Sequence, residues 1–260
     1  MMIDTHAHLD DEQFAKILDD VLQRAVAAGV ANIITVGTTL ASSIQSIQLA
    51  QRFDRVVAAV GIQPNYSAQA AATDWDAIVA LAGHDRVVAL GETGLDRYWD
   101  FTPLDVQQDY FDRHLRLAQQ MDLPVVVHMR DCEDDIVQML QQARRRGPLR
   151  GVMHSFTGTA ATARYCLDMG MHLSFAGMVT YKKSHALREI AGEIPDDRIL
   201  IETDAPYLSP HPQRGHRPNE PALITHTAAC LAGVRGIELA SFVRQTSENA
   251  RHLFRLPVVD

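Results

Sequence analysis

Six side chains able to hold metal ions or move protons stand at equivalent places in the chain: His6, His8, Glu92, His128, His154 and Asp204. Each sits at or just beyond the end of a short apolar run. His6 and His8 are two residues apart in extended chain, so both imidazoles point the same way. His128 ends PVVVH, His154 ends GVMH, Glu92 lies in LGETGLD and Asp204 in IETDAPY. Taken singly, each has an ordinary explanation, such as a buried hydrogen-bonded histidine or an acid capping a turn. Taken together, the six require one site, and their chemistry is metal binding. Imidazole with carboxylate suits Zn, Mn, Co, Ni or Fe, and Mg less readily. Six ligands exceed what one tetrahedral ion takes, but they suit two ions sharing a carboxylate. Such ions lie ~3.5–4 Å apart and hold a water between them. Glu92, from a central strand, is the natural bridge. No lysine occurs between Lys16 and Lys182, so a carbamylated lysine cannot serve there.

The elements that must position these groups alternate regularly. Strands are expected at Met2–Thr5, Asn32–Val36, Val56–Val60, Val87–Gly91, Pro124–His128, Gly151–His154, His172–Phe175 and Ile199–Glu202. Helical periodicity marks Asp11–Ala28, Ala41–Phe53, Asp74–Ala82, Pro103–Met121, Glu133–Arg146, Ala160–Met169, Ser184–Ala191, Glu220–Leu231 and Gly236–Leu253. Asp74 and Thr159 read as N-caps, Gly29 and Gly170 as C-caps. Eight strand–helix units fit a (β/α)8 TIM barrel, whose active sites lie at the C-terminal mouth of the strands. An open doubly wound sheet is the alternative, but no GxGxxG or GxxxxGK[ST] phosphate loop appears. With no linker or break in composition, residues 1–260 are expected to form a single domain. Arg144–Arg146 reads as a solvated helix end, favoured by the helix dipole.

Composition sets further bounds. The 260 residues are 47% hydrophobic and 22% charged, ordinary for a folded globular chain. No apolar run approaches the ~18 residues that cross a bilayer, and the start MMIDTHAHLDD lacks a signal-peptide pattern. Three scattered cysteines, Cys132, Cys166 and Cys230, suggest reduced thiols and a cytoplasmic location. They also exclude a thiolate zinc site. The net charge of −8 argues against nonspecific nucleic-acid coating. Only three lysines stand against 21 arginines, so anion recognition must rest on arginine, metal and backbone N–H groups.

The ordered set DTHAHLD, GETGLDRYWD, PVVVHMRD, MHSFTG, IETDAPYLSP and RPNEP resembles the TatD family of metal-dependent deoxyribonucleases, amidohydrolase-like barrels. The resemblance runs from residue 4 to about residue 221. It implies one ion on His6, His8, Glu92 and Asp204, and a second on Glu92, His128 and His154. It also implies a cytoplasmic 3′-to-5′ exonuclease acting on DNA, single strands or 3′ ends, working as a monomer or weak oligomer. Where family members often carry GxHPH, this chain reads GIQPN, so Gln63 and Asn65 replace two histidines. Substrate positioning, not metal holding, is what that departure touches. The implied chemistry is attack of a two-metal-bound hydroxide on phosphorus, with Asp204 and Glu92 as the catalytic carboxylates and Asp204 taking the proton. Arg130 is placed to meet a phosphate, or else to pair with Asp131 or Glu133. Tyr98, Trp99 and Tyr66 on mouth loops suit base stacking, and the RPNEP motif adds Arg217 and Asn219 as polar contacts. His216 in the same segment is a further polar group. Two other functions fit the same residues. One is hydrolysis of an amide, an ester or an aminoacyl-tRNA, because metal hydroxides attack carbonyl carbon as well. The other is a non-catalytic metal-binding protein.

Overall fold

The computed structural model describes residues 1–257. Short apolar runs form the strands β1 (Met2–Ala7), β2 (Val30–Val36), β3 (Val56–Val60), β4 (Val87–Asp96), β5 (Val125–Arg130), β6 (Gly151–Met153), β7 (His172–Phe175) and β8 (Ile199–Ile201). They pair in parallel, in sequential order from β1 to β8. Closure falls to the segment after β8. Ala7 bridges Ala205 in parallel. The Asp204 N–H donates to the His6 carbonyl at 2.9 Å and His8 N–H to the Ala205 carbonyl at 2.7 Å. The result is the (β/α)8 barrel expected from the alternation.

Around it lie α1 (Leu18–Ala27), α2 (Leu40–Arg52), α3 (Asp74–Leu81), α4 (Leu104–Met121), α5 (Glu133–Arg146), α6 (Ala160–Asp168), α7 (His185–Glu193), α8 (Ile224–Arg235) and α9 (Leu239–Phe254). One apolar cluster joins outward strand residues to the helices, for example Val56, Val125 and Ile199 against Ile47, Phe111 and Leu140. A second fills the barrel, with Val57, Val126, Val152 and Leu200 resting on Leu253 and Phe254 of α9. Strand alternation continues this inner column upward: Val126 leads to His128, Val152 to His154 and Leu200 to Glu202 and Asp204. The barrel thus has an apolar floor and a polar mouth. On β1 and β4 the register shifts, between Asp4 and Ala7 and between Leu90 and Thr93. Those shifts let His6 and Glu92 join the inner face although Ile3 and Ala89, three residues before them, already lie on it.

Several local expectations change. The helix expected at Asp11–Ala28 is a 3₁₀ turn at Glu12–Phe14 and then α1. Asp11 accepts from the Gln13 N–H, and burial of Phe14 fixes the turn. Thr73, not Asp74, holds the N-cap position of α3, and Asp74 instead accepts from the Ala71 N–H at 2.9 Å. Thr159 caps α6 as expected, and Gly29 and Gly170 follow α1 and α6 with φ of +85° and +86°. β4 runs five residues past the expected end at Gly91, to Asp96. The helix expected from Glu220 begins at Ile224, after a 3₁₀ turn at Pro221–Leu223. Glu220 is buried and accepts a bidentate pair of bonds from Arg24. Among the described residues no helix is long and apolar enough to cross a membrane.

Candidate metal centre

Glu92 stands mid-strand in β4, and the other donors surround it. Its Oε2 lies 3.6 Å from the Nε2 of both His6 and His8. Those two nitrogens are 3.2 Å apart, and each is 3.6–3.7 Å from Asp204 Oδ1. Tetrahedral donors about 2.1 Å from an ion must lie about 3.4 Å from one another. The separations among His6, His8 and Glu92, and from both imidazoles to Asp204, are 3.2–3.7 Å, close to that spacing. Oε1 of Glu92 faces the opposite way, 2.8 Å from His128 Nδ1 and 3.2 Å from His154 Nε2, and these nitrogens are 3.3 Å apart. One carboxylate thus divides its oxygens between two donor groups. The donor set fits divalent ions on both sides.

The far nitrogens of three of the four rings are tied as metal-holding imidazoles require, while the buried His6 Nδ1 has no partner among the described residues. His8 Nδ1–H donates to the Val36 carbonyl at 2.9 Å, leaving Nε2 for the site. His128 Nε2 meets Asp96 Oδ2 at 2.9 Å, and His154 Nδ1 meets Glu202 Oε1 at 3.4 Å. Asp96 also accepts from Asn65 Nδ2 at 3.0 Å and from the N–H groups of Tyr98 and Trp99. Gln107 clamps its backbone on both sides. Asp4 ties β1 to the segment after β8 by accepting from the Thr203 N–H at 2.9 Å.

Local backbone explains how β4 brings a carboxylate so close to β5. Gly91 and Gly94 have φ of +139° and +131°. A Cβ on Gly91 would sit 2.6 Å from the Val126 carbonyl oxygen, and one on Gly94 would sit 2.1 Å from that of His128. Only glycine allows the GETG segment to lie there. Asp204 is held at φ +55°, a conformation that aspartate tolerates better than most residues.

The electrostatics call for a cation. Burial acts to raise the Glu92 carboxyl, but the charge of His154 and hydrogen bonds from His128, His154 and His6 bring it well below the ordinary range. Asp204 is likewise lowered, with His8 and the neighbouring imidazoles overcoming burial. Burial acts to lower His8, yet Asp204 and Glu92 lift it to about 9. His154 rises well above its usual value against burial, through Glu92 and Glu202. His8 and His154 are thus raised beside the ionised carboxylates, whereas burial and the charge of His154 lower His6, and a divalent ion would take the place of the imidazole protons on binding.

All six sequence-derived ligand candidates therefore converge at one end of the barrel. Asp4, Asp96 and Glu202 were missed: Glu202 lies two residues before Asp204 and Asp96 four after Glu92, but spacing alone does not say which ring either reaches, and the register shift after Asp4 breaks its alternation with His6. The contact residues divide. Gln63, Asn65, Arg130, Asp204 and the two site imidazoles His128 and His154 line a cavity of about 930 Å³. A smaller cavity of about 270 Å³ adjoins it around His8 and Glu92. Gln63 and Asn65 are buried, and Gln63 Oε1 accepts the Asn65 N–H at 2.8 Å. These two residues anchor the loop and Asp96. Arg130 pairs with neither Asp131 nor Glu133 but lies 3.7 Å over the Tyr98 ring. Two expected contacts stand back from the lining of this cavity. Tyr98 is outside the cavity wall because its ring is taken by Arg130. Arg217 is also outside it, because its guanidinium donates to Ser209 Oγ at 2.7 Å and to the His216 carbonyl. Asn219 is fully buried and donates to the Thr203 carbonyl at 2.9 Å, so it braces the Asp204 segment. His216 is exposed, with its own carbonyl taken by Ser209.

A family profile described as TatD related DNase matches residues 3–255. The chain is 39% identical to an uncharacterized metal-dependent hydrolase, YabD, of Bacillus subtilis, across 98% of this chain and 100% of that one. It is 38% identical to the 3′-5′ ssDNA/RNA exonuclease TatD of Citrobacter koseri, across 97% of this chain and 98% of that protein. The crystal structure of a TatD homologue, YJJV, from Escherichia coli K12 superposes with a TM-score of 0.92 at 29% identity, covering 98% of both chains. With this barrel, this donor set and similarity along nearly its whole length, the chain belongs to the TatD-related DNase family of metal-dependent hydrolases.

Proposed function

We propose that this protein is a two-metal phosphodiesterase that removes nucleotides from the 3′ ends of DNA. The observation that carries this reading is the divided Glu92 carboxylate, with Oε2 toward His6 and His8 and Oε1 toward His128 and His154. His6, His8, Glu92 and Asp204 would hold one divalent ion, and Glu92, His128 and His154 the other. Zn, Mn, Co, Ni and Mg are the candidates. Such ions would supply positive charge to a phosphodiester and acidify a bound water.

The chain's own groups do the rest. Asp204 Oδ1 faces the imidazoles of His6 and His8. Its Oδ2 is the oxygen that takes the proton of the attacking water. Glu92 stays ionised at the centre and keeps its four imidazole neighbours in register. Asp96 and Glu202 hold the His128 and His154 rings by their far nitrogens. Arg130, free of carboxylate partners among the described residues, is the cation for a substrate phosphate. Support for a nucleic-acid substrate comes from relatives named for single-stranded DNA and RNA. Free, mostly buried thiols support a cytoplasmic home, and we expect a monomer or weak oligomer.

The test uses chelator-stripped protein reloaded from a metal panel. It is assayed on single-stranded DNA, duplex DNA and RNA with either end blocked, and on aminoacylated tRNA. The expected result is release of mononucleotides from free 3′ ends, peaking at two bound ions per chain. Full activity at one ion, or release of an amino acid from charged tRNA with no phosphodiester cleavage, would overturn the reading.

A further inference from the structure

Aromatic side chains are unevenly spread over this surface. Six large aromatics are more than 40% exposed, and five of them, Tyr66, Tyr98, Trp99, Phe101 and Tyr207, border the barrel mouth. Trp99 and Phe101 are 44% and 59% exposed, although nothing in water favours exposing such rings. They already lie parallel, with centroids 5.3 Å apart and planes 11° apart. Both line the cavity that holds His128, His154 and Asp204. Arg130 stands beside them, its guanidinium 3.7 Å over Tyr98 and 5.6 Å from the Trp99 ring. Among the described residues it forms no ion pair, in a chain whose net charge is −8.

The loop that carries these rings is anchored to the site. Asp96 Oδ1 accepts from the N–H groups of Tyr98 and Trp99 at 2.9 and 3.1 Å, while Oδ2 holds His128 and Asn65. One carboxylate therefore sets the aromatic loop at a fixed place relative to the imidazole of His128.

We infer that Trp99 and Phe101, with Arg130 on the adjoining phosphate, form a base-stacking platform that selects single-stranded nucleic acid. This rests on the nuclease reading above and names how that site chooses its substrate. The faces of paired bases are hidden inside a duplex, whereas an unpaired terminal base can lie on an indole ring. Every base has such a face, so the platform is indifferent to sequence. Duplex enters only where its end has frayed. The Tyr98 ring beneath Arg130 orients the guanidinium and takes no base itself.

The chain has two tryptophans, Trp75 and Trp99, so in a Trp75→Phe background Trp99 alone reports. Metal-loaded protein is titrated with a phosphorothioate hexathymidylate and with an abasic hexamer of equal charge. The expected result is saturable quenching by the thymidylate, with binding at least tenfold tighter than to the abasic hexamer. In Trp99→Ala/Phe101→Ala that preference collapses to near one. Anisotropy of labelled hexamers, which needs no tryptophan, supplies the comparison for the double variant and for the unaltered protein. Equal binding of thymidylate and abasic hexamer, or a preference that survives the double substitution, overturns the platform. Should nucleic acid be cleaved while Trp99 stays silent, the platform fails and the nuclease reading stands. Should Trp99 be quenched by base-bearing oligomer with no strand cleaved under any metal, the nuclease reading fails and the platform stands.

Discussion

Glu92 is the residue on which both donor groups depend, and its two oxygens make a direct prediction. Glu92→Ala removes a ligand from each side, so metal analysis is expected to find neither ion held at stoichiometric level. His128→Ala removes one ligand from one side only and is expected to retain about one ion per chain. Two ions retained in Glu92→Ala would rule out the shared carboxylate. Asp204 carries a different burden. Asparagine keeps the shape and a carbonyl oxygen for the His6 and His8 side, but it cannot accept a proton. Turnover of oligonucleotide in Asp204→Asn is expected to fall by about 10²-fold or more, with metal content measured on the same sample. Near-native turnover with both metals bound would remove Asp204 from proton transfer. The six ligand candidates were legible because histidine and carboxylate recur at the ends of apolar runs. Asp96 and Glu202 were not, because their task is to orient another side chain, and nothing in local spacing says which ring a carboxylate will reach across 32 or 48 residues.

At the level of the elements, β4 shows most clearly how local backbone serves the site. The apolar run places the end of this strand at Gly91, and glycine ordinarily weakens a strand. Instead Gly91 and Gly94 allow the strand to continue against β5 at a distance no side chain tolerates. Gly94→Ala meets both a positive φ and a Cβ 2.1 Å from the His128 carbonyl oxygen. A loss of about 2–4 kcal/mol of stability is expected, seen as a lower urea midpoint, together with weaker metal retention. An unchanged midpoint would show that β4 can move away without cost. The register shifts on β1 and β4 belong to the same scale. A sequence with period two cannot announce where its period slips, because only pairing with neighbouring strands reveals the extra residue.

Across the whole molecule, two histidines outside the site are kept neutral by burial. His114 is lowered to about 4, its Nδ1–H donating to the Tyr110 carbonyl and its Nε2 accepting the Ile62 N–H. His172, at the start of β7, is also lowered to about 4, first by burial and then by Arg198. Each folded value lies below the unfolded value of about 6.5, so the unfolded chain binds the proton first. Stability is therefore unaffected above about pH 7 and is lost as pH falls from 6.5 toward 4. His172→Gln lacks that proton uptake. Its stability relative to the parent, followed by urea denaturation, is expected to improve by roughly 3 kcal/mol between pH 7 and pH 4. A constant difference across that range would show that His172 is not held neutral. The sequence by itself determined the barrel, the polar end of the strands and the six donors, since periodicity and residue type are local properties that repeat along the chain. Only the tertiary structure decided that Glu92 splits its oxygens, that Asp96 joins His128 to the aromatic loop, that Arg130 rests on Tyr98, and that Arg217 turns away to Ser209. Those outcomes depend on which side chains from distant segments arrive within 3–4 Å, and barrel closure sets that, not the spacing along any one strand.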